Sequence, residues 1–255
     1  MMQEKMPVVL MNFSGIYKEE NFWKGQDVTW IEAQDLTGTN CYCDDEAAAQ
    51  ISARIEKFSA KGIHFIDSGN YHYLTKFWIE KIDEPFQLIV FDNHTDMQLP
   101  AFGGLLSCGG WIAASLEEQK QISRVILIGP DEAAYEQVED SFKEKVLFLS
   151  RERLQKLSEE KLGVFLEDVI KEPLGTYISI DKDILCQEDA QTTWSQGDMK
   201  LSTLLCCVKK IRECAQKTGS ELLGVDICGE ADVESSHDNR SNDHADQEIL
   251  KAFLE

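Results

Sequence analysis

Short apolar runs recur along this chain, separated by amphipathic stretches, and that alternation constrains the fold more than any other feature. Residues 86–92 (FQLIVFD) are the clearest case. No charge interrupts the run before its terminal aspartate, and it lacks the polar–apolar alternation of a half-exposed strand. It reads as a strand covered on both faces. Residues 7–13, 63–67, 124–129, 146–149, 177–181 and 222–227 read as further strands. Residues 46–59, 72–82, 111–120, 158–171, 202–217 and 246–254 carry helical periodicity, the first behind the capping pair Asp44-Asp45. Strands that alternate with helices predict a mainly parallel sheet flanked by helices, an α/β fold. No internal repeat, low-complexity tract or Pro/Gly-rich linker divides the chain, so residues 1–255 are expected to form one domain. With 43% hydrophobic residues it can bury a sizeable core.

Charge narrows the partners. Lys plus Arg is 25 and Asp plus Glu is 46, a net of 25 − 46 = −21. Such a surface repels phosphate backbones and anionic membranes, so nucleic acid is not expected as a partner. No apolar run approaches the ~20 residues of a membrane span. The N-terminal residues show no secretory signal, which together with the cysteine usage leads to an expected cytoplasmic location. The eight cysteines are scattered. Neither Cys41-x-Cys43 nor Cys206-Cys207 has the paired spacing of a zinc site.

In open parallel sheets, sites form beyond the carboxyl ends of the strands. Three such ends here are rich in metal-type residues. After FQLIVF come Asp92, His94 and Asp96, at i, i+2 and i+4, which point the same way if the segment stays extended. After the strand at 177–181, Asp181 and Asp183 repeat the i, i+2 arrangement. After the strand at 63–67, a Gly69 turn brings His72 near a helix start. Four carboxylates and two imidazoles exceed what one zinc needs and suit two divalent ions sharing carboxylates. Oxygen-rich donors with some imidazole favour manganese, with zinc and iron as alternatives.

With these segments in view, the chain resembles the arginase and agmatinase family, the ureohydrolases. Their pattern is a Gly-x-x-His turn, then Asp-Ala-His-x-Asp, then Ser-x-Asp-x-Asp. Here these read Gly69-Asn70-Tyr71-His72, Asp92-Asn93-His94-Thr95-Asp96 and Ser179-Ile180-Asp181-Lys182-Asp183, within a resemblance over about residues 60–255. The resemblance implies a three-layer α/β/α fold and two Mn²⁺ ions. His72, Asp92, Asp96 and Asp181 would hold one ion, and Asp92, His94, Asp181 and Asp183 the other, so that Asp92 and Asp181 bridge. It further implies a small-molecule substrate of guanidino, amidine or amide type. Its C–N bond would be attacked by water ionised between the metals, with Asp96 passing a proton to the leaving amine. Homo-oligomers would be in keeping with the family.

The chain also departs from the family. Cys186-Gln187 stands where an Asp-Pro is usual. Ser107-Cys108-Gly109-Gly110 places Cys108 where a pocket histidine is frequent. The family's guanidinium-binding Glu follows a strand Asp by three residues, whereas Glu230 follows Asp226 by four. A one-residue shift in an extended segment turns a side chain to the other face, so Glu230 reaches the pocket only through a bulge. Asp96, Cys108 and Glu230 are the candidate catalytic and substrate-contacting residues. As a nucleophile Cys108 would need a base nearby, and a buried inert thiol is the simpler expectation. Trp194 fits a pocket wall or ordinary packing. The polar stretch at 237–244 reads as a solvated loop ending in a helix cap. Two other functions remain open: a deacetylase-like single-zinc hydrolase, and a metal-binding protein of the same fold without activity.

Overall fold

The computed structural model describes residues 6–100, 104–231 and 239–254. Its strands are β1 (Val8–Asn12), β2 (Val28–Glu32), β3 (Tyr42–Cys43), β4 (Ile63–Phe65), β5 (Phe86–Phe91), β6 (Leu106–Ser107), β7 (Ile122–Ile128), β8 (Val146–Leu149), β9 (Gly175–Asp181) and β10 (Leu222–Cys228). Eight of them form one sheet in the order β2-β1-β4-β10-β9-β5-β7-β8, every pair parallel. β3 and β6 pair antiparallel as a separate ribbon.

The period of two along each strand builds the layers. In β5, Ile89 and Phe91 face one core while Leu88 and Val90 face the other. On the first side the sheet is covered by α7 (Glu159–Val169), α8 (Leu201–Thr218) and α9 (Arg240–Leu254), through Leu162, Leu166, Leu204, Val208, Ile211, Ile249 and Leu250. On the second side it is covered by α1 (Asp45–Ile55), α2 (Leu74–Ile79) and α3 (Trp111–Glu118), through Ile51, Leu74, Trp78 and Ile112. This is the parallel sheet flanked by helices expected from the alternation, in the three-layer α/β/α form that the family resemblance implies. Asp44 caps α1, its side chain accepting from Ala47 N at 2.8 Å. No described helix is long and apolar enough to cross a membrane.

The structure corrects the sequence reading in several places, the β3–β6 ribbon among them. The edge strand β2 is unanticipated, because all but one of its residues VTWIE are half-exposed or exposed and they lack an apolar run. The short helices α4 (Glu132–Glu136), α5 (Asp140–Lys143) and α6 (Arg151–Leu154) are too brief for helical periodicity to register. α9 begins at Arg240, six residues before the expected start at 246, so residues 240–244 are helix rather than loop. Asp243 in that first turn accepts from Asn21 N and Phe22 N and ties the N-terminal loop down. His237 and Asp238 lie outside the described residues.

Candidate metal centre

Three parallel strands deliver the candidate ligands at their carboxyl ends. Beyond β5 the chain does not stay extended. It bends at Asn93 and His94, and Asp96 takes φ 48°, an unusual conformation for a residue with a Cβ. Asp92, His94 and Asp96 therefore meet through a turn, not through the strand spacing read from the sequence. His94 N donates to Asp92 Oδ1 at 2.6 Å, and Trp111 Nε1 donates to Asp96 Oδ2 at 2.7 Å, which fix that turn. After β4, a 3-10 turn at Gly69–Tyr71 delivers His72. A Cβ on Gly69 would lie 3.0 Å from Asp181 Oδ2 and 2.9 Å from the Trp194 ring, so this close approach needs glycine. After β9, Asp183 N donates to Asp181 Oδ1 at 2.8 Å and closes a second turn.

The six side chains converge. His72 Nδ1 lies 2.9 Å from Asp96 Oδ2, 3.3 Å from Asp92 Oδ2 and 3.7 Å from Asp181 Oδ2. His94 Nδ1 lies 2.7 Å from Asp183 Oδ2 and 3.5 Å from Asp92 Oδ1. Two triads result, His72-Asp92-Asp96 and Asp92-His94-Asp183, sharing Asp92. Atoms bound to one ion at about 2.0–2.2 Å lie roughly 3 Å apart, as these do. The far nitrogen of each ring is held by a hydroxyl, Ser179 Oγ for His72 and Ser195 Oγ for His94, both at 2.8 Å. Such contacts orient a ligating imidazole.

Electrostatics point to the same use. Burial and then the Asp92 charge push the Asp96 carboxyl up to about 7. Asp183 is raised well above the carboxylate range by burial and by Asp181 and Asp92. Asp92 Oδ2 is buried and accepts no hydrogen bond. Carboxylates crowded in this way need a cation, and the donor set fits divalent metal. Burial opposes charge on His94, but its hydrogen bonds with Asp183 and Asp92 prevail and lift the imidazole to about 11. In the metal-free protein the stability from that raised pKa is full below about pH 6.5 and is lost as pH rises through about 11. Ligation requires the neutral ring, so metal entry must displace that proton. Manganese titrated calorimetrically in two buffers of different ionisation enthalpy is therefore expected to release protons and to bind more weakly on acidification. Equal heats in both buffers would contradict this.

A cavity of about 220 Å³ opens onto the cluster, lined by the six candidate ligands and by Cys41, Tyr42, Gly69, Gln98, Ser107, Cys108, Gly109 and Trp194. Cys41 and Cys108 meet across the β3–β6 ribbon, Cys108 N donating to Cys41 O at 2.9 Å. Comparison with known proteins now decides the family, since residues 6–243 match the Arginase family.

The chain belongs to the arginase family. Members of this family are hydrolases of C–N bonds, and proteins of the fold generally bind two metal ions, usually Mn²⁺. An uncharacterized protein of Thermotoga maritima is 29% identical over 96% of this chain and 88% of its own length. The arginase of Bacillus caldovelox superimposes with a TM-score of 0.72, at 14% identity, covering 99% of both chains. The formimidoylglutamase of Bacillus subtilis gives 0.72 at 15% identity, covering 99% of this chain and 87% of that one. At such identities the structural likeness establishes the fold.

Within this family framework the departures take physical form. Cys108 lines the cavity with its thiol pushed up to about 12, by burial first and Asp96 second, so it stays protonated at neutral pH. Glu230 does not line the cavity. Gly229, with φ 100°, occupies the position three residues after Asp226, and a Cβ there would lie 2.6 Å from Asp181 Oδ1. The chain thus has no room for a side chain at this position, which faces Asp181. Glu230 instead turns away to the Lys182 ammonium and to Asn242 Nδ2, the latter at 2.9 Å. The sequence reading also missed Cys228, whose thiol donates to Asp181 Oδ2 at 3.2 Å, and the cavity residues Cys41 and Tyr42. The place of Cys228, two residues along β10 from Asp226, was the one available signal.

Proposed function

We propose that this chain is a manganese-dependent hydrolase of a C–N bond in a small guanidino, amidine or amide-type molecule. The observation that carries this reading is the pair of ligand triads sharing Asp92 beneath an open cavity. When bound, two divalent cations supply Lewis acidity that brings water ionisation toward neutral pH. Asp92 lies between the two histidines and would serve both ions, and Asp181, beside His72 and joined to Asp183 N, would be shared with it. Asp96 lines the cavity and is the carboxyl placed to carry a proton to the departing amine. Trp111 holds Asp96 in its left-handed turn through the indole N–H. The Trp194 ring, 5.8 Å from that of His94, forms one wall against which a planar substrate group can lie.

The test is a screen of manganese-loaded protein against guanidino, amidine, formimino and amide compounds, reading urea or ammonia. Turnover of one class is expected. A silent screen with both metals bound would overturn the hydrolase reading in favour of a metal-binding protein without activity. A positioning role for Trp111 predicts that Trp111→Phe lowers kcat by roughly 10–100-fold while two metals remain bound. An unchanged kcat would remove Trp111 from the mechanism.

A further inference from the structure

Across β9 from the metal ligands lies a second group of buried charges that the hydrolytic reading does not use. Lys182 sits between Asp181 and Asp183 in sequence but turns to the α9 side of the sheet. Its ammonium pairs with Glu230 and, at 2.8 Å, with Asp246 Oδ2 of α9. Glu20, from the loop after the 3-10 turn Ile16–Lys18, completes the group. Glu20, Glu230 and Asp246 are 1%, 1% and 0% exposed, and each offers an oxygen within 4.8 Å of the others.

These contacts do not balance. Among the described residues of the group, three carboxylates face one ammonium, which leaves two negative charges if all are ionised. Both oxygens of Glu20 and Oδ1 of Asp246 are buried and have no hydrogen-bond partner among the described residues. Burial and then Glu230 push the Glu20 carboxyl up to about 11, so its ionised form needs a further counter-charge. A proton satisfies one oxygen and neutralises one charge. A divalent cation satisfies all three oxygens and neutralises both charges.

We infer that Glu20, Glu230 and Asp246 form a third metal site, distinct from the pair at His72 to Asp183, that takes a hard divalent cation of the calcium class. The donors are all carboxylate oxygens with no imidazole or thiol, which favours a hard cation such as calcium over zinc. Calcium also accepts irregular coordination, here with Lys182 and Asn242 holding oxygens of Glu230, whereas magnesium demands a near-octahedral, partly hydrated shell. Occupied, the site ties the N-terminal loop and α9 to the end of β10.

The experiment is a metal count on the manganese-loaded full chain after dialysis against calcium, beside a thermal melt with and without calcium. One calcium per chain is expected in the wild type, in addition to manganese. Glu20→Gln should lose that calcium and keep its manganese. Without calcium, Glu20→Gln should melt above the wild type because the neutral amide is spared the proton uptake that burying this carboxyl requires at neutral pH, and with calcium the order should reverse. Absence of calcium from the wild type, or its retention in Glu20→Gln, would overturn the site and leave shared protons as the balancing charge. Should Glu20→Gln fail to fold, the wild-type calcium count and the calcium dependence of its melting temperature decide alone.

Discussion

Asp181→Asn is expected to empty at least one of the two metal positions and to lower turnover by about a thousandfold or more. Loss of a contact that merely orients a ligand costs roughly 10–100-fold, and Asp181 sits nearer the chemistry than that. Its Oδ2 faces His72 and its Oδ1 accepts from Asp183 N, so it lies between the two halves of the cluster. The amide keeps the shape and one acceptor oxygen but gives up the charge that two cations would share. Unfolding is separable from this loss. Burial, followed by the Asp92 charge, raises the Asp181 carboxyl in the metal-free protein, so its ionised form destabilises that state at neutral pH. Metal-free Asp181→Asn should therefore melt no lower than metal-free wild type, while the manganese-loaded variant melts below the loaded wild type. Metal content by mass spectrometry and turnover of the substrate found by screening are the measurements. Two tightly held metals and undiminished turnover in the variant would refute the ligand assignment.

The second large effect is on stability. Lys182→Met should cost about 3–5 kcal/mol, the usual penalty for removing one partner of a buried ion pair. The lysine is 0% exposed and holds both Glu230 and Asp246, so its loss strands two carboxylates in the core. For a chain of this size each kcal/mol shifts the melting temperature by about 2–4 °C, giving a fall of about 6–20 °C. Urea or thermal unfolding of the metal-free protein reads it directly. A change under about 3 °C would mean that the group is already balanced without Lys182.

Much of the fold was legible because it is written in local patterns. The run FQLIVF is buried along its whole length as β5, and the alternation of strands and helices yields a parallel sheet covered on both faces. β2 and the short helices α4 to α6 were not legible, since half-exposed residues and single turns carry no periodic signal. The convergence of the candidate ligands was legible for a chemical reason: histidines and aspartates clustered at neighbouring strand ends are brought together by a parallel sheet. Their manner of meeting was not. The i, i+2, i+4 argument for Asp92, His94 and Asp96 assumed an extended segment, and the segment bends.

The sequence by itself determined the candidate ligand residues and the sheet that gathers them, because both follow from residue type and from the pattern of strands. Only the tertiary structure decided what surrounds that set. Gly229 leaves no space for a side chain beside Asp181, and Glu230 is drawn away by Lys182 and by Asn242, which comes from α9. Cys41, Tyr42 and Trp194 reach the cavity from segments far apart in the chain. A face is chosen by backbone dihedrals and distant partners together, and neither can be read from one stretch of residues. The segment from Asp92 to Asp96 is thus half of a candidate cluster whose residues the sequence names and whose pocket the fold assembles.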